Sequence, residues 1–247
     1  DQAYEEKARE CFAGNCGRPF LIEAEARVAP ITSSTAWLDP QLVQPSVAHL
    51  TRSERAALSQ HWQRLGQMEH ASIAAFARFS LQLLALGAPS ELVERCNQAL
   101  ADETEHAKLC FQLASSYAGQ PLGPGPLDIN GSLDCVSLVE IVDLVLAEGC
   151  FGETSAALEA LEAADSATDP VVRDVYAKIA RDEQRHAELA FRFLRWALTQ
   201  DAPVVRRRIA ASVAEPPSAH RAAREVIVPC LNALLGRPLG FAPIAAA

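Results

Sequence analysis

Two segments of this 247-residue chain repeat one pattern of acidic residues and a histidine. Residues 102–111 and 182–191 both read D-E-x-x-H-A-x-L-x-F. On a helix, the glutamate and the histidine of this pattern lie about 60° apart, so both side chains can point at one ion. The repeat therefore predicts four metal ligands, Glu103, His106, Glu183 and His186.

A further glutamate precedes each of these segments at nearly the same distance. Glu69 lies 34 residues before Glu103, and Glu148 lies 35 residues before Glu183, each on its own predicted helix. We interpret the chain as two copies of one helix pair. A glutamate followed by E-x-x-H, given twice, is the ligand set of dinuclear carboxylate proteins. Two divalent ions would cancel the charge of four carboxylates that otherwise repel one another in one interior.

These six ligand positions resemble those of the ferritin-like superfamily, which includes bacterioferritin, rubrerythrin and the di-iron oxygenases. The resemblance covers roughly residues 51–200. It implies an all-α fold, namely a ferritin-like four-helix bundle with a long crossover between helices 2 and 3. It also implies that Glu103 and Glu183 bridge two metals, whereas Glu69 and Glu148 are terminal ligands, one with each histidine. The expected cofactor is two Fe ions, with Mn/Fe and Mn/Mn as alternatives, because oxygen and imidazole donors without thiolates suit these metals.

Two aspartates could support the histidines. Asp102 and Asp182 directly precede the E-x-x-H glutamates, and a metal-bound histidine usually donates its second ring N–H to a carboxylate or a carbonyl. We expect each aspartate to accept from the histidine of the opposite helix pair. A solvent-facing position is the alternative for both.

The third predicted helix departs from good helix chemistry directly after Glu148. Glycines stand at positions 149 and 152, and each costs about 1 kcal/mol relative to alanine. They predict a cavity for O2 or substrate, or a helix distortion such as a π-bulge; close helix packing is the alternative. Glu153 could supply a further ligand, although it lies about 140° from Glu148 on a regular helix. Cys150 and Tyr176 could line a pocket or could be ordinary core residues.

Helix-start and helix-stop signals divide the predicted bundle into four helices. Start signals occur at three places, as capping boxes at Thr51-x-x-Glu54 and Ser137-x-x-Glu140 and as an N-cap followed by proline at Asp169-Pro170. Gly87 and Pro89 end the first helix, and Ser90 begins the second. Because the turn between these two helices is short, we expect them to be antiparallel neighbours.

A connection rich in glycine and proline follows the second helix, over residues 119–134. It cannot be helical, and about 15 extended residues span about 50 Å, enough to pass a helix of about 30 residues. We therefore predict that it crosses the full length of the bundle. The predicted organisation has three regions. Residues 1–50 form an N-terminal arm packed on the bundle, with a short helix at 2–12, and residues 51–200 form the di-metal bundle. Residues 201–247 contain two C-terminal helices, at 203–214 and 218–235, and a tail.

The composition limits the classes of partner. The net charge is −9, and the basic residues are scattered apart from Arg206–Arg208, so nucleic acid is not an expected partner. The sequence has no run of 18 apolar residues, so no membrane-spanning helix is predicted.

The seven cysteines and the first residue bear on the cellular compartment. The cysteines are scattered and odd in number, which does not suit a complete disulfide framework. Cys11 and Cys16, the closest pair, could form a disulfide, half of a zinc site or two free thiols. We favour the cytoplasm. Because the chain begins at Asp1 without methionine, an export signal could precede it, and an exported form stays open.

The resemblance implies an oxidoreductase, an O2-dependent di-iron oxidase or monooxygenase acting on a small organic substrate. The alternative is a ferroxidase or iron-storage protein, for which Fe(II) itself is the substrate. Long arms at both ends hinder assembly of a cage, so we expect the enzyme, as a monomer or small homo-oligomer. The sequence lacks paired C-x-x-C motifs, which excludes the full rubrerythrin form. The organic substrate and the type of reaction stay open.

Overall fold

The structure, a computed structural model, describes residues 18–42, 44–216 and 221–237. Most of this chain is helical, which confirms the all-α class. No helix within these ranges is long and apolar enough to cross a membrane. The predicted short helix at 2–12 and the pair Cys11 and Cys16 lie outside the described residues.

The first helix pair is α1, Arg52–Ala85, and α2, Ser90–Ala118, which pack along each other. α1 begins at the predicted capping box. Thr51 Oγ1 accepts from the backbone N–H of Glu54, and the Glu54 carboxylate accepts from the backbone N–H of Thr51 at 2.7 Å. Gly87 follows α1 with a φ of 67°, a conformation that glycine adopts without strain. The chain therefore reverses, and the two helices are antiparallel.

The second helix pair has a first member that is distorted in its middle. α3, Leu138–Leu144, continues into a π-helix, π1, Val145–Glu153, and then into α4, Thr154–Ser166. Its partner α5, Pro170–Gln200, begins at the predicted N-cap Asp169, whose carboxylate accepts from two backbone N–H groups. α5 packs along both α4 and π1. The third predicted helix therefore exists, with a π-type distortion at its two interior glycines.

Gly149 lies where π1 passes closest to α5. A Cβ atom at this position would lie 2.6 Å from the Cβ of Ala190, a distance that carbon atoms do not tolerate without movement. Close packing against α5, rather than a cavity, therefore explains this glycine.

Gly149→Ala is expected to lower the free energy of unfolding by about 1–3 kcal/mol, because the added methyl group overpacks the contact with Ala190. Chemical denaturation measures the effect. Combining the change with Ala190→Gly should recover part of the loss, since the second substitution removes the opposing methyl group. An unchanged unfolding midpoint for Gly149→Ala would contradict this packing.

The described part of the N-terminal arm lies against the helices and against the non-helical connection between α2 and α3. Two short antiparallel ladders organise it, one between β1, Leu21–Ile22, and β2, Glu25–Ala26, and one between β3, Ile31–Thr32, and β4, Gly123–Pro124. β4 belongs to the non-helical connection between α2 and α3. Phe20 and Ile22 pack on Ala71 and Ala75 of α1. The arm is thus joined to both this connection and the first helix.

The C-terminal residues add three further elements. α6, Ala202–Ala214, occupies the first predicted C-terminal helix. The second consists of a π-helix, π2, Ala223–Ile227, followed by α7, Val228–Leu234, whereas its predicted start at 218 lies outside the described residues. Ile209 and Ile227 are fully buried, so these elements contribute to the apolar core.

Two apolar clusters lie on either side of the E-x-x-H level of the helices. On α1, Leu65 belongs to one cluster and Phe76 to the other, and Glu69 lies between them in sequence. On α5, the second E-x-x-H segment lies between Ile179 of one cluster and Leu189 of the other. The fold therefore places a polar layer between two apolar ones.

Candidate metal centre

Six side chains from α1, α2, π1 and α5 converge in this polar layer. They form two overlapping groups that could each hold a metal ion, one of Glu69, Glu103, His106 and Glu183, and one of Glu103, Glu153, Glu183 and His186. In each group, one ligand atom per residue lies within 4.8 Å of all the others. Glu103 and Glu183 belong to both groups, so their positions suit bridging carboxylates.

The atoms that face this space lack hydrogen-bond partners. All eight carboxylate oxygens of the four glutamates, and the Nδ1 atoms of both histidines, are buried without a hydrogen bond in the described chain. Leaving a buried polar group unsatisfied costs about 1–3 kcal/mol, and more for a charged group. The donor set fits two divalent ions, because oxygen and imidazole donors suit iron and manganese and two such ions neutralise four carboxylates.

The four carboxylates differ in their affinity for protons. Burial and the nearby Glu103 carboxylate raise the pKa of Glu69 well above its ordinary value. Burial and the Glu183 carboxylate do the same to the pKa of Glu153. Burial also acts to raise the pKa of Glu103 and of Glu183. The two nearby imidazoles outweigh it for Glu103, and the Glu153 carboxyl group together with both imidazoles outweighs it for Glu183, so both pKa values are lowered. The two glutamates that belong to both groups are therefore the more acidic ones.

Both imidazoles lie among carboxylates. Burial acts to lower the pKa of each histidine, but the surrounding carboxylates, first Asp182 for His106 and first Asp102 for His186, raise it well above the ordinary value. The metal-free centre therefore holds protons. Because a metal ion must displace them, metal binding should release protons and weaken as the pH falls.

The two aspartates hold the outer nitrogens of the histidines in a crossed arrangement. His106 Nε2 lies 2.9 Å from Asp182 Oδ2, and His186 Nε2 lies 3.3 Å from Asp102 Oδ2. Each histidine thus donates to the aspartate of the other helix pair, the arrangement that the sequence predicts. Once the second ring proton has been lost, the tautomer protonated at Nε2 keeps a lone pair on Nδ1 that faces the carboxylates, as a metal ligand requires.

Basic residues that the sequence analysis missed hold the aspartates. Arg185 Nη2 lies 3.0 Å from Asp102 Oδ2 and 2.8 Å from Asp182 Oδ1, and Lys178 Nζ lies 2.7 Å from Asp182 Oδ2. Arg185 therefore joins the two helix pairs outside the ligand layer. Its position three residues after Asp182, inside the repeated motif, could have predicted the ion pair with that aspartate.

Asp182→Asn is expected to weaken metal binding by about 10- to 100-fold, because the charge that orients and polarises His106 is lost. Competition with a chromophoric chelator measures the affinity. Asp174→Asn, at an exposed position on the same helix, is the matched control and should retain the parent affinity. Equal affinities for the two variants would show that Asp182 has no supporting role.

The structure does not bring Glu148 to the metal centre, and this corrects the prediction that it is a terminal ligand. Its buried carboxylate binds two buried arginines, with Oε2 3.3 Å from Arg18 Nε and Oε1 2.5 Å from Arg78 Nη2. Oε1 also accepts from the backbone N–H of Leu21 at 3.1 Å. Glu148 therefore anchors the N-terminal arm, and Glu153, not Glu148, belongs to one of the two groups that could hold a metal ion.

The π-helix π1 explains why Glu153, and not Glu148, lies among the other candidate ligands. A π-helix forms i→i+5 hydrogen bonds and has a wider turn than an α-helix. The angle that separates Glu148 from Glu153 on a regular helix therefore does not apply, and Glu153 at the end of π1 reaches Glu103, Glu183 and His186. In the sequence, the glycines at 149 and 152 and the second glutamate, Glu153, indicated this distortion. No local pattern indicated that Arg18 and Arg78 pair with Glu148.

The remaining candidate pocket residues lie in the apolar clusters. Cys150 is fully buried in one of them, and burial raises the pKa of its thiol above the ordinary value. Tyr176 lies in the other, where its hydroxyl is 2.6 Å from His61 Nε2 and its ring is 4.8 Å from that of Trp62. Neither residue belongs to the two ligand groups.

Comparison with known proteins gives no relative for this chain. No protein-family model, no curated protein and no solved structure matches it.

Proposed function

We propose that this protein is a ferritin-like, non-haem di-iron oxidoreductase that uses O2 at a dinuclear carboxylate site to oxidise or oxygenate a small organic substrate. One observation carries the proposal. Eight carboxylate oxygens and two imidazole nitrogens face one buried space and make no hydrogen bond in the described chain. Such a set is costly in a metal-free protein, and two divalent ions would satisfy it.

Each residue of the centre has a role under this proposal. Glu69 and His106 would hold one ion, Glu153 and His186 would hold the other, and both bridging glutamates would be shared. When bound, two Fe ions with open coordination positions supply O2 binding and redox chemistry.

The residues around the ligands contribute in two further ways. Asp102 and Asp182 fix the tautomer and orientation of the histidines, and Arg185 holds both aspartates in place. The apolar clusters on either side of the centre limit the access of water, which strengthens electrostatic interactions inside it.

Metal analysis and size determination of the purified protein test the proposal. We expect about two metal ions per chain in a monomer or small oligomer, with O2 consumption by the Fe(II)-loaded protein that an organic substrate increases. Glu105, in the same repeated motif as Glu103 but paired with Lys108, gives a matched control, because Glu105→Ala should retain the ions. A large shell with many irons per chain would instead indicate iron storage.

A further inference from the structure

We infer that Tyr176 and His61 form a proton-coupled electron donor to the candidate metal centre, in which the Tyr176 hydroxyl gives its proton to His61 as the phenol loses one electron. This inference deepens the proposed function and rests on it, because the electron acceptor is the dinuclear centre after its reaction with O2. Neither residue belongs to the two ligand groups, so the donor is a separate part of the molecule.

The Tyr176 hydroxyl and the His61 imidazole are held at the distance that proton transfer needs. Tyr176 Oη lies 2.6 Å from His61 Nε2, at the short end of the range over which a base accepts a proton. Tyr176 is buried on α5, and His61 is partly buried on α1. These helices belong to different helix pairs, so the contact joins the two halves of the bundle.

His61 can act as the base because its imidazole is neutral at physiological pH. Burial and the nearby Arg64 guanidinium lower the pKa of His61 below its ordinary value. In the tautomer that is protonated at Nδ1, Nε2 keeps a lone pair that can accept the phenolic proton. Loss of an electron makes the hydroxyl of tyrosine a strong acid, so a base at this position lets the phenol lose its proton and its electron together.

The pair lies one layer away from the candidate metal centre. Tyr176 precedes Glu183 by seven residues on α5. Seven residues are about two helical turns, which place Tyr176 about 10 Å from this ligand along the helix axis and on the same face. Ile179 and Ala180 fill the interior beside this stretch, in the same apolar cluster as Tyr176. An electron can cross such a distance through packed protein, whereas a proton cannot, so His61 takes the proton locally.

Trp62 completes the surroundings of the phenol. Its ring lies 4.8 Å from that of Tyr176 and 5.5 Å from that of His61, and the residue is 1% exposed. The indole therefore shields the phenol ring from water. His61 is only partly buried, so it links the phenolic proton to solvent.

The electron count of O2 chemistry gives such a donor a role. Two Fe(II) ions supply two electrons, whereas complete reduction of O2 to water takes four. When no organic substrate supplies the others, Tyr176 gives one electron to the oxidised centre. The products are a neutral tyrosyl radical at Tyr176, an imidazolium at His61 and a centre that has gained one electron. A small reductant in solution, such as ascorbate, then returns an electron to Tyr176 as His61 returns the proton.

Electron paramagnetic resonance of the Fe(II)-loaded full chain, frozen rapidly after mixing with O2 without added substrate or reductant, tests the inference. We expect a tyrosyl-radical signal from the parent protein and none from Tyr176→Phe, which should keep two iron ions per chain because it removes no candidate ligand. Tyr117→Phe is the matched control, since Tyr117 is buried in the same apolar cluster, and this variant should retain the signal.

His61→Gln isolates the role of the base. Glutamine can keep a hydrogen bond to the Tyr176 hydroxyl but does not take up a proton, so the radical should form about 10- to 100-fold more slowly than in the parent. The rate in the parent should also fall in D2O, because a proton moves with the electron. A purely structural His61 would affect the unfolding midpoint and leave the isotope effect of the variant equal to that of the parent.

The outcomes separate this inference from the proposed function. If two irons load and O2 is consumed, but the signal is absent or persists in Tyr176→Phe, the inference is overturned and the proposed function stands. If no iron loads, the proposed function fails, and flash-photolysis oxidation of the metal-free protein by a ruthenium(III) tris-bipyridine complex decides whether the pair is a proton-coupled donor. A Tyr176 radical whose rate depends on His61 and on D2O would support the pair, and equal rates in the parent and His61→Gln would overturn it.

Discussion

Glu148→Ala is expected to lower the free energy of unfolding by about 3–5 kcal/mol, because it leaves two buried guanidinium groups without their anion. Arg18 and Arg78 are 1% and 4% exposed, so bulk solvent does not reach either guanidinium group in the folded parent protein. The Arg18 guanidinium also lies 4.7 Å from the centre of the Phe76 ring, which holds it in the core. Chemical denaturation of the metal-free protein measures the loss.

A double-mutant cycle supplies the control for this change. Arg78→Ala should also destabilise the protein, and the two losses should not add, because both substitutions break the same buried interaction. Metal stoichiometry of folded Glu148→Ala protein should stay at that of the parent. Loss of an ion with undiminished stability would instead identify Glu148 as a ligand.

Glu153→Ala, five residues along the same distorted helix, is expected to change metal binding and not stability, the opposite of Glu148→Ala. It should remove one of the two metal ions per chain, because Glu153 belongs to only one ligand group. The metal-free form should unfold no more easily than the parent, since a buried carboxylate without a hydrogen bond is removed. Elemental analysis after loading and desalting, together with denaturation of the metal-free protein, measures both effects.

Glu162→Ala is the matched control for Glu153→Ala. Glu162 lies on α4, within the same helical stretch, and its side chain is 66% exposed. This variant should keep both ions and the parent stability. Retention of two ions by Glu153→Ala would remove Glu153 from the proposed centre.

Much of the candidate centre is predictable from the sequence because its signals are local. The spacing within each E-x-x-H segment fixes which side chains share a helix face, and the structure brings Glu69 together with both segments. The crossed pairing of Asp102 and Asp182 with the histidines also follows from the duplication, because equivalent positions face each other across the two helix pairs. The capping boxes gave the starts of α1 and α3 for the same reason.

The exchange of Glu148 for Glu153 was not predictable from periodicity alone. A helix period of 3.6 residues assigns faces correctly only where the helix is regular, and π1 breaks that regularity between the two glutamates. The two partners of Glu148 were not predictable from local sequence either, since Arg18 lies 130 residues away and Arg78 lies 70 residues away. Non-local charge pairing decided which of the two glutamates became structural.

Crystals of the iron-loaded protein, measured at the iron absorption edge, test the central claim most directly. Anomalous difference density should show two iron atoms per chain, one among Glu69, Glu103, His106 and Glu183 and the other among Glu103, Glu153, Glu183 and His186. No anomalous density in this layer, or iron bound at Glu148 in place of Glu153, would contradict the account.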